Sequence, residues 1–179
     1  SMAQKKAVDT QQLRQDFEKL MSDLERNYVY YKKKKVDLPL FKKYYAEKLL
    51  DTNTQKDPLL FFEFMLLEFY DSHMHLKSNN NKSYRLFSPV YASIVNDKIT
   101  ITDYWKDQIN NRIEIEIIGS EILAFNNEDI VSVVERFPTH CHDKNDPEIR
   151  TWIINKILSG RYHEKRVLKL KLQNGEIVN

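Results

Sequence analysis

The N-terminal part of the chain carries apolar residues at the three- and four-residue spacing of a helix face. The first such set comprises Leu13, Phe17, Leu20, Met21, Leu24 and Tyr28. Because these positions recur about once per helical turn, they predict an amphipathic helix that begins at an N-cap, Thr10. Asp37, followed by Pro39, predicts the start of a second helix, since proline is tolerated in the first helical turn.

A third helix is predicted after Asp57-Pro58, a capping residue followed by a proline at the first helical position. The segment 59–70 is apolar on nearly every side, which predicts a buried central helix. The polar segment 51–56 before it is expected to form a loop. Because a bundle of about 70 residues is marginal by itself, some apolar side chains of the second helix are expected to be exposed. These are Phe41, Tyr44 and Tyr45.

The pattern changes after Asp71, where short β-branched or aromatic runs replace the helical spacing. Strands are predicted at 84–87, 90–95, 98–102, 112–117, 121–125 and 166–172. Helices are predicted at 129–137 and from Pro147 to a stop at Gly160. Asn96-Asp97 and Asn174-Gly175 are typical of hairpin turns. The whole pattern predicts an α+β fold with a small N-terminal helical bundle, residues 10–82, followed by a β-rich unit with two helices, residues 83–179.

Composition and charge exclude several classes of protein. The chain has 179 residues, three glycines and one cysteine, so no Gly-rich phosphate loop and no intrachain disulfide are possible. No apolar run reaches the ~18 residues that span a bilayer. The net charge of +2 is divided into modest blocks of alternating sign, whereas a nucleic-acid binder usually presents one strongly basic face. We therefore expect no nucleic-acid partner and no integral membrane segment, and the first nine residues are expected to be a tag and a disordered leader.

Two histidine-containing motifs could carry chemistry. Asp71, His73 and His75 could bind a metal, although a helix-ending turn explains the same residues. The run 140–143, His-Cys-His-Asp, has ligand types suited to zinc or copper and a possible thiol nucleophile. Adjacent residues cannot all face one ion, so an exposed loop is the expected structure. We predict no metal and no cofactor. The lysine run 32–35 is expected to be a solvated connection.

Two stretches resemble tail-specific, tricorn-type serine peptidases. The segment 66–76 (LLEFYDSHMHL) is similar to the L-L-x-x-L-x-D-G-H-T-x-L pattern found early in that family, with Asp71 and His73 at the matching positions. The segment 119–130 (GSEILAFNNEDI) looks like the G-D-x-I-L-x-I-N-G-x-x-I segment of the family's PDZ domains and places Gly119 and Asn126 in the motif. Ser72, Ser120 and Asn127 depart from these patterns.

The resemblance implies that residues 83–179 form a PDZ-like, barrel-type unit. The alternating isoleucines Ile113, Ile115 and Ile117 are then candidates for a peptide groove, either as an edge strand or as an internal strand. No G-L-G-F-like carboxylate-binding loop precedes Ile113. The family's catalytic serine and lysine lie in a later core domain, so the resemblance assigns no catalytic residue to this chain.

The leading functional hypothesis is therefore a non-catalytic N-terminal region of a serine peptidase. This region would position or gate a peptide or protein substrate for a C-terminal catalytic domain. The resemblance further implies a periplasmic or secreted location. The alternative is a stand-alone peptide-binding or scaffold module without protease activity, and a homo-oligomer is possible in either case.

Overall fold

The computed structural model describes residues 9–28, 31–105, 107 and 115–179. Six α-helices lie in this part of the chain: α1 (Thr10–Asn27), α2 (Leu38–Lys48), α3 (Thr52–Lys56), α4 (Pro58–Leu67), α5 (Ile130–Glu135) and α6 (Pro147–Ser159). A short 3₁₀ turn spans Tyr31–Lys33. The strands are β1 (Val90–Val95), β2 (Lys98–Tyr104), β3 (Glu121–Phe125), β4 (Glu128–Asp129), β5 (Leu168–Lys171) and β6 (Ile177–Val178).

The chain divides into two compact units. The helical unit contains the residues up to Asn79 together with Thr139–His142, and the mixed unit contains Asn80–Pro138 and Asp143–Asn179. The domain boundaries predicted from the sequence, 10–82 and 83–179, differ from this division at residues 80–82 and 139–142. Within the described residues, none of the helices combines the length and the apolar character that crossing a bilayer requires.

Aspartates cap the first four helices, because a short carboxylate can accept hydrogen bonds from the free N–H groups of the first turn. Asp37 accepts from Leu40 N at 3.0 Å, as its position before Pro39 predicts. The cap of α1 is Asp9 and not Thr10, which is already helical.

The loop predicted for residues 51–56 is wrong, because most of that segment forms helix α3. Asp51 caps the helix by accepting from Asn53 N at 2.9 Å. Thr54 is buried, and its hydroxyl donates to the Lys48 carbonyl at 2.7 Å. One N-cap and one buried polar side chain thus stabilise α3. Because this short helix has no apolar face, the sequence pattern did not predict it.

Helix α4 lies in an aromatic core, which also includes two side chains that the sequence analysis placed at the surface. Phe41 is 0% exposed and Tyr45 is 3% exposed, so that expectation is wrong. The Phe41 ring packs edge-on against Phe69 at 5.1 Å, and Tyr45 packs against Phe61 at 5.7 Å. Tyr44 is partly buried. The aromatic face of α2 is therefore used to cover α4, which is why a small bundle can bury so apolar a helix.

The mixed unit is built on an antiparallel sheet with strand order β1-β2-β3-β5-β6, in which β4 pairs with β3 at one side. The sheet is open. Helix α6 buries its apolar side chains Ile149, Ile153, Ile154 and Ile157. The α+β class predicted from the sequence is confirmed, and the two helices expected in this unit are α5 and α6.

Both predicted hairpin turns are present. Asn96 and Asp97 have φ values of 49° and 63°, the left-handed pair that a two-residue hairpin requires. Gly175 has a φ of 87° between β5 and β6. The strand predicted at 84–87 is absent, because that segment makes a single bridge, between Tyr84 and Arg161.

Candidate functional site

The Asp71–His73 motif forms a rigid turn at the end of the α4 segment. The Asp71 carboxylate accepts from His73 N at 2.9 Å, and Met74 N donates to the Asp71 carbonyl at 3.0 Å. The Tyr28 hydroxyl donates to the second carboxylate oxygen at 2.6 Å. Partial burial tends to raise the pKa of Asp71, but the bonds from Tyr28 and His73 and the charge of Lys34 outweigh it, and the pKa is lowered.

The turn leaves its histidines on the outside. His73 and His75 are exposed, and the His75 Nδ1 lies 3.3 Å from the Ser72 carbonyl. Both oxygens of Asp71 already accept hydrogen bonds, so the aspartate is committed to the turn. Within the described residues, no group of three or more histidine, cysteine, aspartate or glutamate side chains is arranged to hold a metal ion.

A buried glutamate one helical turn earlier holds a distant segment of the chain. Glu68 is 0% exposed, and its carboxylate accepts from the backbone N–H groups of His140 and Cys141, the latter at 2.9 Å. Asp37 N also donates to the Cys141 carbonyl at 2.8 Å. These bonds place Thr139–His142 inside the helical unit, and we call the arrangement the Glu68 clamp.

His142 and Thr139 complete the clamp. The His142 Nδ1 lies 2.7 Å from the Glu68 carbonyl oxygen, which can only accept, so Nδ1 carries a proton. In the neutral ring, Nε2 then accepts from the Thr139 hydroxyl, which lies 2.7 Å away. The His140 ring stacks on Tyr44 with 4.6 Å between the ring centres.

The clamp changes the interpretation of the His-Cys-His-Asp run. Cys141 is only 2% exposed, so the expected exposed loop is wrong at this position. Burial, followed by the negative charge of Glu68, raises the pKa of the Cys141 thiol well above its usual value. The reactive thiolate is therefore disfavoured, and the geometry does not suit a nucleophile. Burial and the same carboxylate also raise the pKa of Tyr45.

Sequence reasoning missed the role of Glu68. The only signal was the presence of an ionisable residue in an otherwise apolar stretch, Leu66–Tyr70, because a fully buried charge needs hydrogen-bonding partners. The partners lie more than 70 positions away along the chain, and no local pattern identifies them.

In the mixed unit, Gly119 and Asn126 occupy turns that flank β3. Gly119 has a φ of 84°, and a Cβ there would collide with the side chain of Gln173. Asn126 has a φ of 48°, and its side-chain oxygen accepts from Val167 N at 2.9 Å, while its own N–H donates to the Val167 carbonyl at 2.8 Å. Both residues therefore shape the backbone.

The isoleucines suggested for a peptide groove are not brought together in a strand. Ile113 lies outside the described residues. Ile115 is 45% exposed, whereas Ile117 is 4% exposed and its carbonyl accepts from Ser120 N in the turn before β3. Residues 115–117 belong to no strand, so the alternation at 112–117 does not give a strand over its described part.

Comparison with solved structures gives a shared fold. No protein-family model and no curated protein sequence matches the chain. Two solved structures of mature CPAF, a chlamydial tail-specific-type serine protease, are similar in fold. The complex with lactacystin matches with a TM-score of 0.58 and 14% identity, and a second structure with 0.52 and 16%. Each match covers 94% of this chain, which spans about a third of the length of the solved CPAF chains (34% and 33%).

Proposed function

We propose that this chain is the substrate-positioning region of a serine peptidase of the tail-specific type and acts beside a separate catalytic core. The observation that carries the proposal is the likeness to CPAF, because it covers both units of the chain in one match. The resemblance of the segments 66–76 and 119–130 to the same type of peptidase supports it independently. The location that accompanies the proposal is periplasmic or extracellular.

The chemistry of the described residues supports a non-catalytic role. The thiol of Cys141 is buried and its pKa is raised, so it is a poor nucleophile. Asp71 is engaged by Tyr28 and by the His73 N–H. In the proposed protein, the peptide bond is cleaved by groups of the catalytic core, and this chain contributes binding and alignment of the substrate.

The reading frame that encodes this chain provides the first test. We expect it to continue past residue 179 into a core domain with a serine nucleophile and a lysine base. The protein from the whole frame should cleave casein, and replacement of that serine by alanine should abolish cleavage. The 179-residue chain alone should not cleave casein. A reading frame that ends soon after residue 179 would contradict the proposal.

A second candidate is a stand-alone peptide-binding or scaffold module. The observation that favours it is the burial of Phe41 and Tyr45, because the helical unit covers aromatic side chains that were expected to be exposed. Sedimentation of the purified chain separates the two candidates further. A monomer at high concentration favours the module, whereas self-association favours a region that normally packs against a partner domain.

A further inference from the structure

Two segments of the mixed unit that meet at the C-terminal end of α6 are rich in positive charge. The segments 82–85 and 156–166 contain six lysines and arginines but only one carboxylate, that of Glu164. The six are Lys82, Arg85, Lys156, Arg161, Lys165 and Arg166. Four of them donate to backbone carbonyl oxygens. Because a carbonyl oxygen and a helix C-terminus carry only partial negative charge, they balance this positive charge only in part.

Two of these side chains, Arg85 and Arg166, converge at Gly160. The Nη1 atoms of both guanidinium groups donate to the Ser159 carbonyl, at 3.3 Å from Arg85 and 3.2 Å from Arg166. A Cβ at Gly160 would lie 3.1 Å from Arg85 Nη1 and 3.0 Å from Arg166 Cδ, so both side chains pass over a residue that has no side chain. Burial, followed by the nearby charge of Arg85, lowers the pKa of Arg166. Two like charges are therefore held close together.

The two arginines differ in how far their hydrogen-bond donors are used. Arg85 is half-buried, and its Nη2 also donates to the carbonyls of Tyr162 at 3.2 Å and Glu164 at 2.9 Å, so its guanidinium is fixed in place. Arg166 is exposed, and its bond to the Ser159 carbonyl uses one of five N–H groups. Among the residues that the structure describes, no carboxylate lies within ion-pair distance of either arginine.

We propose that Arg85 and Arg166 form a binding site for a phosphate group. A phosphate carries nearly two negative charges at neutral pH and balances both guanidinium groups, whereas a single carboxylate balances only one. The free N–H groups of Arg166 can bind two phosphate oxygens at once, because a guanidinium presents its donors in a planar fork. The ligand is inorganic phosphate or a phosphate monoester, either in solution or in a lipid headgroup. The site goes beyond the proposed peptidase role and does not depend on it.

Two substitutions that remove the same charge separate a built site from general attraction of anions. Arg166→Gln removes the exposed guanidinium and keeps a polar side chain. Lys165→Gln is the matched control, because Lys165 is the exposed neighbour in the sequence. The purified chain is titrated with sodium phosphate at neutral pH and constant ionic strength, with sodium chloride making up the balance. NMR signals of the Gly160 amide and the Arg85 side-chain Nε–H measure binding. Sodium acetate is the second probe, because it carries one charge.

We expect Arg166→Gln to weaken phosphate binding at least ~10-fold, because it removes charged hydrogen bonds to the anion. Lys165→Gln should weaken binding by less than ~3-fold, because it removes only a solvent-screened charge. Acetate should bind the wild type at least ~10-fold more weakly than phosphate does. Equal losses in the two variants overturn the site, because net charge alone then attracts the anion. Acetate binding as tight as that of phosphate overturns the assignment of the ligand.

A measurement on the wild type keeps the proposal falsifiable if the Arg166→Gln variant does not fold. In the phosphate titration, the side-chain Nε–H signal of Arg166 should shift and reach a plateau. The signal of Arg136, which is paired with Glu128, should not move. An Arg166 signal that does not shift, or that shifts only as much as that of Arg136, overturns the proposal.

Vesicles identify the source of the phosphate. The chain is sedimented with vesicles of phosphatidylcholine and phosphatidic acid, a lipid with a phosphate monoester headgroup, and with vesicles of phosphatidylcholine alone. Once phosphate binding is established, sedimentation that needs phosphatidic acid and is lost in Arg166→Gln supports the site with a lipid headgroup as ligand. No sedimentation with either vesicle supports it with a soluble phosphate compound. Neither result depends on the casein assay or on the reading frame, so the peptidase role and the phosphate site can fail separately.

Discussion

Glu68 in the helical unit and Asn155 in the mixed unit each satisfy backbone groups of a segment far away in sequence, but with different chemistry. Glu68 is fully buried, and its carboxylate accepts from two N–H groups, those of His140 and Cys141. Asn155 is half-buried, and its neutral amide both donates to and accepts from Ala92.

The difference predicts two kinds of contact. Removing a fully buried carboxylate leaves the N–H groups that it serves without their acceptor, so the loss of the clamp is expected to lower stability strongly. The Asn155 amide serves backbone groups of Ala92, which is 0% exposed, but its hydrogen bonds are between neutral groups and are expected to contribute less than those of a carboxylate. Both contacts are therefore structural, and the charged one is expected to contribute more to stability.

The largest effect is expected for Glu68→Ala. The N–H groups of His140 and Cys141 lose their acceptor, the latter in a buried position, and we expect the free energy of unfolding of the helical unit to fall by about 3 kcal/mol. Urea denaturation followed by far-UV circular dichroism measures this loss. The control is Glu47→Ala, a substitution of an exposed glutamate in the same unit. The Cys141 thiol should also react faster with a thiol reagent under native conditions. A denaturation midpoint equal to that of the wild type would contradict the clamp.

A smaller effect is expected for Asn155→Leu. The Ala92 N–H and carbonyl lose their partners, but the lost hydrogen bonds are to a neutral amide and not to a carboxylate, so we expect a loss of about 1–2 kcal/mol. Denaturation followed by tryptophan fluorescence measures it, because Trp105 and Trp152 both lie in the mixed unit. If this substitution destabilises the protein more than Glu68→Ala does, the expected difference between a charged and a neutral contact is wrong.

Tyr28→Phe removes the hydrogen bond to Asp71 and tests the turn at the end of α4. The pKa of Asp71 is lowered in the folded state, so its ionised form stabilises the fold above about pH 4, the unfolded value. This contribution is lost as the pH falls through the lower folded pKa. Because Asp71 is partly open to solvent, we expect a loss of roughly 0.5–1 kcal/mol at pH 7. The difference between variant and wild type should shrink in acid, and a difference that grows in acid would exclude this explanation.

The smallest effect is expected at the surface. Lys42 Nζ lies 2.6 Å from Glu25 Oε1, and both side chains are about half exposed (52% and 46%). Since solvent screens such pairs, Glu25→Gln should change the free energy of unfolding of the helical unit by less than about 0.5 kcal/mol. The same urea experiment measures it. A loss as large as that of Glu68→Ala would show that charge, and not burial, determines how much such a contact contributes to the free energy of unfolding.

The elements that sequence reasoning predicted well are those fixed by neighbours within about four residues. The helix start at Asp37, the hairpin turn at Asn96-Asp97 and the helix stop at Gly160 were all predicted, because caps and turns are local hydrogen-bonding choices. Helix α3 was missed because its anchor, Thr54, is a small polar residue with no periodic pattern. The alternation at 112–117 predicted a strand that is not present in its described part, residues 115–117. A period of two shows which side chains could share a face, but it does not supply a neighbouring strand to pair with.

By itself, the sequence determined the α+β class, most helix and strand positions and the turn residues, because periodicity, capping and left-handed φ preferences act within a few residues. Only the tertiary structure decided that Phe41 and Tyr45 are buried, that Cys141 lies against Glu68, and that Asn155 covers the edge of β1. These contacts join residues that are 16 to 73 positions apart in the sequence. Which residues form these contacts depends on how whole helices and strands pack. The contacts stabilise the fold only after those elements have come together.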